Sequence, residues 1–199
     1  MERKQFKSNS EDTHGKIGEY EYISSSLYEE KKSKFYSYIF EVNSAQEVNN
    51  ILSTVRKEFK DARHVVYTYV LENGYYCSDD GEPSGTGGKT IFSLLEKQKV
   101  INTLVIVIRY FGGVLLGVGP LSRAYLKSVK LAEEKLDIIP YVQKEILTLK
   151  CEYNEEPILR NLIEKVKASI IKTEYDEKVS YIIRVNECEK ELFNDYKSC

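Results

Sequence analysis

The spacing of apolar residues changes along the first two thirds of the chain, and each spacing predicts a kind of element. Alternation of apolar and polar residues predicts strands over 18–25, 35–42, 64–71 and 75–78. Asn73-Gly74, between the last two of these, predicts a hairpin turn. Residues 103–108 (TLVIVI) are almost entirely apolar, which predicts a strand buried on both faces.

Apolar side chains recur every three or four residues in three further stretches, which predicts helices. The first predicted helix begins at Ser44 and ends near Lys60, with Glu47 completing a capping box. The others cover 90–98 and 120–135, and Pro120 suits a first helical turn.

The remaining residues predict a second, smaller domain. Residues 1–15 are polar without a period and are predicted to be loosely ordered, and 136–140 are predicted to be a linker. Beyond the linker the predicted elements are a strand (142–153), a helix capped by Asn154 (154–168), strands at 169–175 and 178–185, and a last helix capped by Asn186. This β-α-β-β-α order is that of a ferredoxin-like domain whose final strand is short or missing. The fold predicted is α+β with two domains, 1–136 and 137–199.

Composition narrows the function classes. The 199 residues include 29 Lys and Arg and 31 Asp and Glu, a formal net charge of −2, so bulk attraction to nucleic acid is not encoded. The four cysteines lie far apart without metal-ligand spacing and are expected to be free thiols. We therefore expect a cytoplasmic protein without a membrane segment, metal or cofactor.

Most of the eleven glycines lie between Gly81 and Gly119, in two loops that flank the apolar strand. The first loop contains PSGTGGKT (83–90), which resembles a phosphate-binding P-loop. That motif requires glycine where Pro83 stands, and it follows an apolar strand rather than acidic residues. Nucleotide hydrolysis is therefore disfavoured.

A weaker form of anion binding stays open. The backbone N–H groups from Ser84 to Gly88 could form an anion nest at a helix N-terminus, helped by Lys89 and Arg109. Alternatively, Asp79 and the acidic residues after it cap those same donors, and the loop is purely architectural.

The loop residues allow four other arrangements. His64 with Asp79, Asp80 and Ser84 could form a nucleophile and base, although nothing in their spacing requires it. Asp79 and Asp80 are a weak Mg²⁺ pair, because adjacent residues in a strand point to opposite faces. The sequence Arg109-Tyr110-Phe111 offers the ring and guanidinium planes that RNA recognition uses, with one ring expected in the core and the other at the surface. Arg109, Arg123 and Lys127 could form a small basic patch.

Three motifs carry a resemblance to a known family. SDDGEPSGT (78–86), RYFGG (109–113) and LG-x-G-x-L-x-RAY (116–125) resemble the signature of the YigZ/IMPACT family. Short motifs at 32–35 (KSKF) and 62–64 (ARH) fall where that family has similar ones. The resemblance covers essentially the whole chain, with departures at Gly87 and Pro120, where alanine and glycine are usual, and in the early end at Cys199.

The resemblance implies an N-terminal domain similar to the second domain of ribosomal protein S5. It also implies a C-terminal ferredoxin-like domain similar to the last domain of elongation factor G. Eukaryotic members act as translational regulators, competing for an activator of a starvation-responsive kinase. The bacterial members have no established biochemical activity, and RNA or ribosome binding has been inferred for them by analogy.

The favoured hypothesis is therefore a non-enzymatic, translation-linked binding protein that contacts RNA, the ribosome or a translation factor through the two loops. A small enzyme acting on a phosphorylated or acidic metabolite and a pure protein-interaction module are the alternatives. The candidate ligand-binding residues are His64, Asp79, Asp80, Glu82, Ser84, Gly85, Thr86, Lys89, Arg109, Tyr110, Phe111, Gly112, Gly113, Gly117, Arg123 and Tyr125.

Overall fold

The computed structural model describes residues 2–9 and 14–197 and has the predicted α+β architecture. The chain divides into two compact units, Met1–Tyr141 and Val142–Cys199. The elements of the first unit are β1 (Lys4–Ser8), β2 (Gly15–Ile17), β3 (Tyr20–Tyr22), β4 (Ser24–Glu30), β5 (Ser33–Glu41), α1 (Ala45–Glu58), β6 (His64–Leu71), β7 (Gly74–Ser78), α2 (Gly88–Gln98), β8 (Thr103–Tyr110), α3 (Val118–Glu133) and β9 (Leu136–Pro140).

A five-stranded antiparallel sheet, in the order β4-β5-β8-β6-β7, forms the centre of the first unit. The apolar strand β8 is central and buried on both faces, as its sequence predicts. Val105 and Val107 face the core made with α2 and α3, whereas Leu104, Ile106 and Ile108 face the core made with α1. Each such side chain contributes roughly 1.5–3 kcal/mol through burial.

The three predicted helices are present with shifted ends. Ser44 caps α1 as predicted, its hydroxyl accepting the Glu47 N–H at 3.2 Å. Helix α2 begins at Gly88, two residues before the predicted start, and the Thr90 hydroxyl donates to the Gly85 carbonyl at 3.1 Å. Helix α3 begins at Val118, so Pro120 lies within its first turn.

Two predictions about the ends of the first unit are wrong. Lys4–Ser8 is an ordered strand, and it pairs antiparallel with Leu136–Pro140, the predicted linker. Lys4–Ser8 is short and largely polar, and Leu136–Pro140 is short and ends in proline, so neither pattern indicates the strand that brings Phe6 or Leu136 into the core. Residues 1 and 10–13 of the predicted loose lead-in lie outside the described residues.

The second unit contains β10 (Lys144–Cys151), α4 (Glu156–Lys165), β11 (Ser169–Tyr175), β12 (Val179–Asn186) and a 3₁₀ helix (Glu187–Tyr196). Its sheet has the order β10-β12-β11, and α4 and the 3₁₀ helix cover one face. The missing last strand of the ferredoxin-like order is reduced to one antiparallel bridge, from Lys197 to Leu149.

Two helix predictions in the second unit are wrong. The residue before α4 is Glu155 rather than Asn154, because Pro157 sets the first turn one residue later. The segment after Asn186 is a 3₁₀ helix rather than an α-helix.

Two findings concern the predictions made from composition, on membrane segments and on cysteines. None of the helices in the described part of the chain is long and apolar enough to cross a membrane. Cys77, Cys151 and Cys188 are free thiols as predicted, and Cys199 lies outside the described residues.

Candidate functional site

The site forms around Arg109, the charged residue at the end of the apolar strand β8. The strand alternates, so Arg109 follows Val105 and Val107 into the core between the sheet and α2–α3. Its cross-strand partners are Phe35 on β5 and His64 on β6. The residue is 4% exposed, and its guanidinium carbon lies 5.5 Å from the Phe35 ring centroid.

Glu82, from the first glycine-rich loop, neutralises this buried cation. Arg109 Nη1 lies 2.6 Å from Glu82 Oε1, and Tyr125 of α3 donates its hydroxyl to the same oxygen at 2.7 Å. His64 Nε2 lies 3.6 Å from the other carboxylate oxygen. Burial, together with the neighbouring Glu82 carboxylate, raises the pKa of the Tyr125 hydroxyl, so it stays protonated as the donor. We call these four side chains the clamp.

Asp80 ties the clamp to α1. Its carboxylate accepts from Arg56 Nη2 at 2.7 Å and from the Val65 N–H at 2.6 Å. Burial tends to raise the pKa of this carboxyl, but the hydrogen bonds and charge of Arg56 outweigh burial and lower it below its usual value. The Asp80 carbonyl lies 2.8 Å from His64 Nδ1. A carbonyl only accepts, so Nδ1 carries the proton and Nε2 faces Glu82.

Asp79 occupies the anion nest that the sequence indicates at 84–88. One carboxylate oxygen accepts the Gly85 N–H at 2.7 Å, and the other accepts Gly87 and Gly88 at 2.9 and 2.8 Å. These are donors at the N-terminus of α2, where a negative charge is stabilised by the helix dipole. The nest is therefore filled by the chain's own carboxylate.

Glycine is required where this loop meets the sheet. A Cβ on Gly88 would lie 2.9 Å from the Ser78 backbone, and one on Gly87 would lie 2.7 Å from Val66 Cγ1. Since real Cβ atoms do not approach so closely, only glycine lets the start of α2 lie flat against β6 and β7. The buried Thr68 hydroxyl fixes this approach by donating to the Gly88 carbonyl at 2.7 Å.

The second glycine-rich loop, residues 111–117, rests on the turn between β4 and β5. The Gly112 N–H donates to the buried Ser33 hydroxyl at 3.1 Å, and a Cβ on Gly112 would overlap the Lys32 carbonyl group. Both residues of that turn, Lys31 and Lys32, have left-handed backbone, with φ of 48° and 65°. Lysine at these angles is strained, so the tight turn is held by its surroundings.

The second loop and the first residue of α3 together expose four apolar side chains. The exposed fractions are 45% for Phe111, 47% for Val114, 85% for Leu115 and 62% for Val118. Leu116 points the other way and is buried, which anchors the loop on the core. We call the four exposed residues, together with Lys31 and Lys32, the loop surface.

The candidate residues named from the sequence are not all brought together. His64, Asp79, Asp80, Glu82, Gly85, Arg109 and Tyr125 converge in the clamp and the filled nest. Thr86 is buried and donates to the Pro83 carbonyl, whereas Ser84, Lys89 and Arg123 are exposed. Gly113 and Gly117 have left-handed φ and shape the second loop.

Two of the alternatives from the sequence do not match this geometry. Arg109 is buried and paired with Glu82, so it does not join Arg123 and Lys127 in a surface patch, and Lys127 Nζ lies 4.8 Å from the Tyr28 ring centroid. The Asp79 and Asp80 carboxylates bind different partners rather than one ion. Among residues 2–9 and 14–197, no three His, Cys, Asp or Glu side chains form a metal-binding group.

The two aromatic residues after Arg109 separate. Tyr110 packs edge-on against Tyr36, with ring centroids 5.9 Å apart, on the α1 side of the sheet. Phe111 is exposed, and its ring centroid lies 5.8 Å from the Arg109 guanidinium carbon.

Four contributors are not among the candidate residues named from the sequence: Arg56, Phe35, Ser33 and the apolar run at 114–116. Arg56 and Phe35 lie far from the loops in sequence, so only the fold brings them near. Ser33 and Phe35 lie in the KSKF motif at 32–35, which by itself does not show what they contact. The apolar run Val114-Leu115-Leu116 inside a glycine-rich loop was a visible signal, because loops rarely carry such runs without a use.

Comparison with known proteins identifies the family. The model of the Impact N-terminal domain matches residues 31–132, and that of a domain of unknown function, DUF1949, matches residues 149–195. The chain is 30% identical over 171 residues to an IMPACT family member of Haemophilus influenzae, covering 82% of each protein. It is 32% identical over 152 residues to the IMPACT family member YigZ of Escherichia coli, covering 73% of this chain and 74% of that protein.

A solved structure supports the same assignment. A crystal structure described as that of a hypothetical protein superposes with a TM-score of 0.63 and 26% identity, over 98% of this chain and 91% of the other. The matched Impact domain contains both glycine-rich loops and every residue of the clamp. The chain belongs to the IMPACT family.

Proposed function

We propose that this protein is a cytoplasmic, translation-linked regulator that binds a protein of the translation machinery, a ribosomal protein or a translation factor, through the loop surface. Membership of the IMPACT family supports the link to translation, because the eukaryotic members that the chain resembles act as translational regulators. The clamp holds the loop surface in place and does not itself contact the partner.

The observation that carries this proposal is a contrast between the two loops. The charged side chains of the clamp and the nest are paired within the protein, whereas the apolar side chains of the loop surface are exposed. Arg109, Glu82, Asp79 and Asp80 are bonded within the protein. Leu115 and its exposed neighbours instead present apolar area on a loop fixed at both ends. An exposed group of apolar side chains with lysines beside it is typical of a protein-binding surface, in which a few well-placed side chains supply most of the affinity.

The same contacts weigh against the two other roles. RNA phosphates would need the Arg109 guanidinium, which is buried against Glu82. An enzyme acting on a phosphorylated metabolite would need the nest, and a phosphate there would first have to displace the Asp79 carboxylate. Neither site is open in this geometry.

Co-sedimentation with purified ribosomes, with and without added translation factors, tests the proposal. We expect Leu115→Ser together with Val118→Ser to weaken binding at least about tenfold, the effect of losing one apolar hot spot. Ile158→Ser is the matched control, because Ile158 is 64% exposed in the second unit. If the loop variant sediments like the unmodified protein, the loop surface is not the binding site.

A second arm separates protein from RNA as the partner. Deproteinised ribosomal RNA should not compete for the loop surface if the partner is a protein. Competition that disappears with the Leu115 and Val118 substitutions would instead assign RNA to this surface and refute a protein partner.

A further inference from the structure

We infer that the open face of the β10-β12-β11 sheet binds the phosphate backbone of structured RNA. This surface belongs to the second unit and is separate from the loop surface. RNA is favoured over DNA because of the proposed translation-linked role, on which this inference rests. A phosphate backbone is favoured because of the exposed cations on this face.

Alternation along the strands separates the two faces of this sheet. On β10, Leu149 and Cys151 are buried against α4 and the 3₁₀ helix, whereas Thr148 and Lys150 are exposed. On β12, Tyr181 and Ile183 are buried in the same core, and Arg184 is exposed. One face is therefore packed, and the other is a flat surface open to solvent.

The open face is basic although the unit is acidic. Residues 142–199 contain twelve Asp and Glu against ten Lys and Arg. The exposed cations on the open-face positions of the three strands are Lys144, Lys150, Lys172 and Arg184. Among the described strand positions of this face, the one carboxylate is Glu174.

Glu174 offsets only one of these cations. It lies 2.6 Å from Lys172 Nζ, and this hydrogen bond and charge, with a smaller effect of Lys150, lower the pKa of the carboxyl. Lys150 also lines a cavity with Glu152, Asp176 and Glu177, so the excess positive charge of the face lies mainly at Lys144 and Arg184, which do not line that cavity. Such a separation of charge within an acidic unit favours a polyanionic partner.

The shape and side chains of the face indicate how that partner is held. Lys144 and Lys150 lie on one strand about 20 Å apart, at about 3.3 Å per residue. This spacing suits several successive phosphates rather than one small anion. Ile146 and Ile182 lie on this face, whereas the two tyrosines of these strands, Tyr175 and Tyr181, lie on the packed face, where both hydroxyls donate to Glu156 of α4. Because stacking on aromatic rings is what holds unpaired bases, we expect sequence-independent contact with the backbone of a duplex.

The test measures binding of the full chain to a fluorescent RNA hairpin by anisotropy over a range of salt concentrations. Lys150→Gln with Arg184→Gln should lower the slope of log affinity against log salt by about 2, since each lost phosphate contact removes about 0.9. Lys150→Glu with Arg184→Glu should weaken binding at least about tenfold. Unchanged circular dichroism will show that these exposed substitutions leave the fold intact.

The matched control is Arg160→Glu with Lys165→Glu, which makes the same charge change on exposed positions of α4, on the other side of the sheet. It should bind RNA with a slope like that of the unmodified chain. Equal losses in the two charge-reversed variants would show an effect of net charge alone and overturn the inference. So would a lack of salt-dependent RNA binding, or equal affinity for a DNA duplex of the same sequence.

Failure here is distinguishable from failure of the proposed function. Leu115→Ser should leave RNA affinity unchanged while it weakens ribosome co-sedimentation. If the loop variant loses the hairpin and the Lys150 and Arg184 variants keep it, RNA binds the first unit instead.

Discussion

The two glycine-rich loops look alike in sequence but play opposite parts in the structure. The first loop, residues 79–88, turns its charges inward, where Asp79 fills the nest and Glu82 meets Arg109. The second loop, residues 111–117, exposes apolar side chains and is fixed by Gly112 against the β4–β5 turn. The charged residues of the first loop therefore stabilise the fold, whereas the apolar residues of the second loop form the candidate binding surface.

The largest expected effect comes from breaking the clamp. Glu82→Gln leaves the Arg109 charge buried without its carboxylate, which should lower the free energy of unfolding by about 3 kcal/mol or more. Adding Arg109→Met removes the stranded charge and should recover much of this loss. Chemical denaturation of Glu82→Gln, Arg109→Met and the double variant measures both effects, and a double variant that loses as much as the two single variants together would contradict the pairing.

The next largest effect comes from emptying the nest. Asp79→Ala removes the acceptor for three N–H groups and should cost about 2 kcal/mol, in the range of a strong helix cap. Sulfate or phosphate should then raise the melting temperature of the variant, because a free anion can bind the vacated donors. The unmodified protein, whose nest is filled, should gain less. Equal gains in both proteins would show that Asp79 does not block an anion site.

These two loops also show what sequence reasoning can and cannot supply. The apolar run TLVIVI identified the central strand, but the predicted strand ended at residue 108 and left Arg109 in the second loop, as a candidate for a surface patch or an anion site. The sequence also offered Asp79 as a possible cap for the nest. It could not decide between that cap and an external anion, because the choice depends on a distance between atoms. For the same reason the sequence did not indicate the contacts of Arg56 with Asp80 and of Phe35 with Arg109. Only strand register and helix packing bring these residues together.

The prediction of β1 and β9 failed for a different reason. A short strand pair at the edge of a unit needs only one or two buried side chains, here Phe6 and Leu136. Five residues with so few buried positions do not show a period, whether they are mostly polar as in β1 or mostly apolar as in β9. Longer elements such as α1 and β8 were predicted well because many buried positions agree.

A smaller effect should appear with pH at the link between the clamp and α1. The pKa of Asp80 is lowered in the folded protein, so its contribution to stability is complete above the ordinary value near 3.8 and is lost as the pH falls through the folded value. Asp80→Asn should therefore flatten the decline in the free energy of unfolding below about pH 4. Arg56→Gln should flatten it in part, because it removes the main partner of the carboxylate. Urea titrations at a series of pH values measure this, and identical slopes in all three proteins would refute the link.

The smallest expected effect on stability falls on the residue expected to matter most for binding. Leu115 is 85% exposed, so Leu115→Ser removes almost no buried area and should change the free energy of unfolding by no more than about 0.5 kcal/mol. Leu116→Ser, one residue further on, replaces a buried side chain and should cost about 2 kcal/mol or more. Chemical denaturation of these two variants measures how the same substitution affects the exposed and the buried side of the loop.

A stable Leu115 variant that no longer sediments with ribosomes would show that the second loop carries recognition and the first only supports it. A Leu115 variant as unstable as the Leu116 variant would mean that the exposed side of the loop is part of the core, and the contrast between the two loops would fail.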